Sequence, residues 1–213
     1  GLEIVETQLH DQAADAITNE ITTLAASGAD AIVLGTTGAF CPQAMGTIAA
    51  NEWSPIGLVS STCSIIELLW APLGDAANGF RIALTPKDVS DPSLQDDPAV
   101  IETRTILSDA GFEPTEGSLA TGVLFGRNVE ALLNRAIELG GLNRSNLIAA
   151  MWSLDFDNPG LYDGVTGQTS GADDAYLLEN ALIAEYLHAD EGGSFVPITD
   201  VFVAEGTNGS FGG

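Results

Sequence analysis

Gly28-Ala29-Asp30-Ala31-Ile32-Val33-Leu34-Gly35-Thr36-Thr37-Gly38-Ala39 is the stretch on which the fold turns. Ala31 to Leu34 is a short apolar run between glycine-containing loops, which predicts a buried strand ending in Gly35-Thr36-Thr37-Gly38. Upstream, Ile17, Ile21 and Leu24 recur at helical spacing, Asp15 stands where a cap belongs, and Gly28 stands where a helix stops. Downstream, Pro42 to Ala50 reads as a second helix with proline near its first turn. Leu2 to Thr7, Ile56 to Ser60 and Gly79 to Leu84 read as further strands, and Ser60-Ser61-Thr62 as the cap of a helix beginning near Ser64. Residues 1 to 84 thus alternate strand and helix, the α/β pattern of a parallel sheet flanked by helices on both faces.

From Thr85 the pattern changes. Lys87-Asp88-Val89-Ser90-Asp91-Pro92 to Asp97-Pro98 is rich in Pro, Asp and Ser and reads as a connecting loop. A helical middle follows: Ala99 to Ala110, ended by Gly111; Ala120 to Leu139, ended by Gly140-Gly141; and Arg144 to Leu154, capped by Asn143. After Pro159-Gly160, two alternating runs, Ala181 to Leu187 and Phe195 to Val203, flank Asp190-Glu191-Gly192-Gly193 and predict a C-terminal antiparallel hairpin.

Thirty acidic residues face six basic ones, for a net charge of -24. A phosphate backbone is gripped by clustered Lys and Arg, so nucleic acid is excluded as a partner. The acidity reads as a solvated surface. The longest apolar stretches, such as Ile65 to Leu73 with Glu67 inside it, fall short of the roughly 20 residues that span a bilayer.

Cys41 and Cys63 each follow one of two successive strands, so if those strands are neighbours both thiols lie at one sheet edge. A disulfide there would suit an oxidising compartment; the alternative is two buried, inert thiols. His10 and His188 stand apart from the cysteines and from each other, which leaves no metal site and implies no cofactor. Cys63 or Ser61 at a strand-to-helix turn could serve a hydrolase as nucleophile, but neither histidine is placed beside them as a base. Asp96-Asp97 and Asp173-Asp174 read as loop charge rather than as an acid and base pair.

Gly28 to Ala39, the strand ending in Ser60-Ser61-Thr62-Cys63, and Asn143-Arg144-Ser145-Asn146-Leu147-Ile148 to Pro159-Gly160-Leu161 together resemble, in order, the leucine, isoleucine and valine binding proteins of ABC transporters. The resemblance implies a type I periplasmic binding protein: two α/β lobes joined by crossing strands that close on a small solute. It also implies an extracytoplasmic location, in the periplasm or on a cell-surface lipoprotein, and a membrane permease as partner. Residues 1–80 match part of the second lobe, 81–165 the mostly helical return of the first, and 166–213 a final return, so only the C-terminal portion of such a protein is expected here. On that reading the helices from Ala99 to Leu154 carry apolar faces left uncovered. The implied ligand-binding residues are Thr36, Thr37, Gly38, Ser61 and Thr62, with Phe125 either an apolar wall of the cleft or an ordinary core residue. In branched-chain amino acid binders the loops matching Thr37 and Thr62 carry an aromatic and an acidic residue that hold the ligand's ammonium. Here both are threonine, which sets an amide or a small carboxylate beside an amino acid as the solute. The same fold serves as the ligand-binding domain of membrane receptors, the alternative to a transport component.

Overall fold

The computed structural model describes residues 1–171, 176–190 and 192–203. In chain order its elements are α1 (Thr18–Ala26), β1 (Ala31–Leu34), α2 (Phe40–Ala50), β2 (Ile56–Val59), α3 (Ile66–Leu69), β3 (Arg81–Leu84), α4 (Pro98–Asp109), α5 (Gly117–Glu138) and α6 (Arg144–Met151), followed by β4 (Asp155–Phe156), β5 (Gly167–Gln168), β6 (Asn180–Leu187), β7 (Ser194–Pro197) and β8 (Phe202–Val203). They divide between two compact units. The first is Gly1–Ala83, Ser90–Ser93 and Ile183–Ile198; the second is Leu84–Val89, Leu94–Leu182 and the described residues from Thr199 on.

The first unit is built on a sheet of order β1-β2-β3-β6-β7, in which β1, β2 and β3 are parallel and β6 and β7 form an antiparallel hairpin. Successive strand residues point to opposite faces. Ile32, Leu34, Val59, Ile82, Ala184 and Tyr186 are buried on one side, while Val33 is 76% exposed on the other. The sequence leads one to expect cover on both faces, but α1 packs on α2 and α2 on the 3-10 turns after α3, so the helices make one layer. Consecutive right-handed crossovers stepping in one direction put their helices on the same side. Gly57 has a packing reason to be glycine: a Cβ there would run into the ring of Phe80.

Three expectations fail at the amino end. Leu2 to Thr7 is not a strand: residues 1–10 have no regular structure and Leu2 is wholly exposed. Strands are stabilised by a neighbour's ladder, and alternation alone does not supply one. Asp15 does not cap α1, which begins at Thr18 with Ile17 in the cap position and no side-chain cap. Ser60 caps the 3-10 turn Ser61–Cys63 and not α3, whose start has no side-chain cap. Gly28, at φ +71°, does end α1.

Trp70, Tyr186 and Phe195 form the centre of this unit, fully buried, with ring centroids 5.1 to 5.9 Å apart. Each ring contributes about 1.5–3 kcal/mol by burial, with about 0.5–1.5 kcal/mol more from each edge or tilted contact. Beside them the Asp91 carboxyl is 0% exposed and fully engaged: Oδ1 accepts from the Ser93 N–H (2.8 Å) and hydroxyl (2.7 Å), and Oδ2 from the Phe195 N–H (3.1 Å). Burial, reinforced by the Asp91 charge, pushes the Tyr186 hydroxyl above the usual tyrosine range, and that hydroxyl donates to the Gly192 carbonyl (2.8 Å). Gly193, at φ +85°, leaves room for it, since a Cβ there would stand 2.5 Å from the Tyr186 oxygen. Glu191 in this turn, and Asp173 and Asp174, lie outside the described residues.

In the second unit α5 packs on α4 and α6, and the short pairs β4–β5 and β6–β8 and the bridge Pro86–Leu161 hold the return segments. Asn143 caps α6 as the sequence predicts, its Oδ1 accepting from the Asn146 N–H (3.0 Å). The long helix starts earlier than Ala120, at Gly117, because the Glu116 side chain accepts from the Ser118 N–H. Its outer residues Phe125, Val129 and Ile137 are exposed, as are Ile148 on α6 and Trp152 just after it, in line with the expected uncovered faces. Asp97 caps α4 through the N–H groups of Ala99 and Val100 and pairs with the Lys87 ammonium at 2.9 Å.

Two stability measurements follow from these anchors. Replacing Asp91 by Ala leaves the buried Phe195 N–H unmet, so Asp91→Ala is expected to cost about 2 kcal/mol; an unchanged urea midpoint at unchanged m-value would refute the anchor. Burial pushes the Asp97 carboxyl up, but the Lys87 ammonium and the Val100 and Ala99 N–H groups outweigh it and hold it below its ordinary 3.8. A depressed carboxyl stabilises the fold while ionised and stops doing so as pH falls through its folded value. The stability gap between wild type and Asp97→Ala, about 1 kcal/mol at neutral pH, should therefore hold steady down to about pH 4 and close below it in acid titrations followed by circular dichroism.

Candidate functional site

Parallel strands β1 and β2, in register from Ala31 opposite Ile56 to Leu34 opposite Val59, end side by side and turn into separate loops. The ladder continues one step beyond them, with the Ser60 N–H donating to the Leu34 carbonyl (2.9 Å). The loops are then stitched together. Thr62 Oγ1 donates to the Thr36 carbonyl (3.2 Å), and Ser60 Oγ lies 2.9 Å from Thr62 Oγ1 while accepting from the Thr62 N–H.

Cys41, in the first turn of α2, and Cys63, at the end of the 3-10 turn, form a disulfide, the bridge expected from adjacent strands. Both are fully buried. A thiolate nucleophile at Cys63 is thereby ruled out, since its sulfur is bonded. The Trp70 indole N–H donates to the Cys63 carbonyl (2.6 Å) and ties the second loop to the aromatic centre.

Of the predicted ligand-binding residues, Thr36, Thr37, Gly38, Ser61 and Thr62 all lie in these two joined loops. Thr37, Gly38, Ser61 and Thr62 are exposed. Thr36 differs: it is 5% exposed, and its hydroxyl is buried with no hydrogen-bond partner among the described residues. Phe125 belongs to α5 of the second unit and is 62% exposed, so it is not a core residue. Ser60 and Trp70 escaped the sequence reading as site residues. The Ser-Ser-Thr run carried a signal for Ser60, whereas nothing local to Trp70 points at Cys63.

A polar groove of about 460 Å³ in the second unit, lined among others by Glu102, Arg127, Glu130, Arg135 and Asp155, contains none of the predicted residues. Ion pairs cross or flank it, Arg127 with Glu102 at 2.7 Å and Arg135 with Glu138 at 2.9 Å. Among the described residues no cluster of His, Cys, Asp or Glu has the makings of a metal site, and no helix is long and apolar enough to cross a membrane.

A family model described as periplasmic binding protein matches residues 1–186. The chain belongs to the periplasmic binding protein family. Solved structures of similar fold include a branched-chain amino acid ABC transporter protein from Thermus thermophilus with bound valine, at 19% identity and TM-score 0.70, covering 96% of this chain and 54% of that one. Another is a solute-binding protein of an ABC transporter from R. palustris in complex with 4-hydroxybenzoate, at 16% identity and TM-score 0.71, covering 99% of this chain and 54% of that one. A third is the leucine-, isoleucine-, valine-, threonine- and alanine-binding protein from Brucella ovis in its closed conformation, at 17% identity and TM-score 0.64, covering 96% of this chain and 51% of that one. The chain spans about half the length of these structures. No curated protein sequence matches it.

In this periplasmic binding protein chain the disulfide closes a loop between residues 22 positions apart, which the chain-entropy relation values at roughly 3 kcal/mol. The Cys41→Ser, Cys63→Ser double variant is expected to lose about that much stability. Thiol titration of the wild type in denaturant without reductant should find no free thiol; two would refute the bridge.

Proposed function

We propose that this periplasmic binding protein chain is part of the solute-binding component of an ABC importer, working outside the cytoplasm and delivering a small polar solute to a membrane permease. The solute is an amino acid, an amide or a related compound. On this reading residues 1–80 are part of the second lobe, 81–165 the return of the first, and 166–213 a final return.

The observation that carries the reading is the meeting of two uncharged, partly open loops at the carboxyl ends of adjacent parallel strands. Ligands of open α/β sheets lie there, where loops present backbone N–H groups and helices direct their amino ends. Thr37, Gly38, Ser61 and Thr62 offer hydroxyl and backbone groups, and the Thr36 main chain holds the two loops together. Such groups hold a solute without attacking it. Hinge closure follows if the bound solute makes more contacts in the closed state than in the open one, which shifts the population toward the form a permease recognises.

A thermal-shift screen of this chain, and of the complete reading frame where that is longer, tests the proposal against amino acids, amides and small carboxylates. One class should raise the melting temperature, since ligand at 100 times its Kd adds about 2.7 kcal/mol. The Ser61→Ala, Thr62→Ala variant should lose most of that rise. Stabilisation by no compound, or stabilisation that survives this variant undiminished, would sink the proposal.

A further inference from the structure

The Asn143 side chain, in the turn between α5 and α6, has two polar ends, and the fold needs only one of them. Its Oδ1 caps α6 by accepting from the Asn146 N–H (3.0 Å). Its Nδ2 comes no nearer than 3.5 Å to the Gly141 carbonyl, at the outer limit of hydrogen bonding. That carbonyl already accepts from the Asn143 backbone N–H (3.0 Å) and from the Asn146 side-chain amide (2.8 Å). The Asn143 amide nitrogen is therefore spare.

The same asparagine opens Asn143-Arg144-Ser145, the Asn-x-Ser pattern at which an oligosaccharide is joined to asparagine on proteins that leave the cytoplasm. The chain holds ten asparagines, of which only Asn143 and Asn208 stand two places before a serine or threonine; Asn208 lies outside the described residues. Leu142, Asn143, Arg144 and Ser145 are all exposed. The Ser145 hydroxyl, the group an attaching enzyme reads, meets no partner in the chain among the described residues. Asn158 is the opposite case: it is buried, its Nδ2 donates to the Leu124 carbonyl (3.2 Å) and to Asn128 Oδ1 (2.7 Å), and proline follows it.

We propose that Asn143 carries an N-linked oligosaccharide, a modification that rests on the extracytoplasmic reading above. The donor is an oligosaccharide held through its anomeric carbon on a lipid phosphate. A bond forms from Asn143 Nδ2 to that carbon while the carbon–oxygen bond to the lipid phosphate breaks. The phosphate keeps the electron pair, and Nδ2 gives up one of its two hydrogens as a proton. One N–H remains and Oδ1 is untouched, so the cap on α6 survives the addition. The sugar stands beside Leu142, which is 59% exposed, and shields apolar surface at this turn from other molecules.

Mass spectrometry of the protein isolated from the cells that make it, sorted by the compartment in which it is found, tests the proposal. Cleavage after glutamate releases a peptide beginning at Leu139. Its mass is expected to exceed the sequence mass by one or more sugar residues, with electron-transfer fragmentation placing the addition on Asn143. Ser145→Ala should abolish the addition in protein that keeps the wild-type circular dichroism, because that hydroxyl bonds nothing in the fold, and Ser145→Thr should retain it. A bare peptide from protein recovered outside the cytoplasm, or a sugar that persists in Ser145→Ala, overturns the modification and leaves the solute-binding reading standing. Protein confined to the cytoplasm overturns both.

Discussion

The hydrogen bond from the Trp70 indole to the Cys63 carbonyl joins the part of the molecule that packs to the part that is open. On one side of it stand Tyr186 and Phe195, whose burial holds the first unit together. On the other stands a 3-10 turn whose next residues back, Thr62 and Ser61, face solvent. A neutral bond of this kind contributes only about 1 kcal/mol net, but leaving either partner unmet in the interior costs more. The disulfide then passes the constraint from Cys63 to Cys41 and the first turn of α2. Both open loops thus inherit their positions from one buried ring.

That inheritance explains why the loops have little to do with the acidic character of the rest. Charge is absent from the tracts that hold these loops, while elsewhere it lies both on the surface and, at Asp91, in the interior. A carboxylate side chain beside free N–H groups would fold back and cap them, as Asp97 does at α4. Small hydroxyl residues can instead bond sideways, as Thr62 does to Thr36, and leave the amide groups open.

Strong local signals were legible in the sequence. Ala31 to Leu34 and Ile56 to Val59 are apolar runs between turn residues, Gly28 and Gly111 supply the left-handed backbone that stops a helix, and Asn143 is a cap by chemistry. The clustering of Thr36, Thr37, Ser61 and Thr62 followed from the strands being neighbours. What failed depended on partners far away in sequence. Leu2 to Thr7 reads as a strand but has none beside it, α1 begins at Thr18, too far on for Asp15 to cap, and the buried Asp91 lay unremarked in a stretch that reads as a connecting loop because its acceptor duty is owed to Phe195. The one-sided cover of the sheet was hidden for the same reason, since crossover direction is a tertiary fact.

The first unit is assembled from three separate stretches of chain, the last of them Ile183–Ile198. On a ribosome, Trp70 therefore emerges long before the two rings that enclose it, and β3 emerges long before the strand β6 that covers its edge. Through that interval the sheet ends in an unsatisfied margin, of the kind that invites pairing with other chains. An export route that keeps the chain unfolded until its tail has crossed, or a holding chaperone inside the cell, would serve this topology better than folding as it is made.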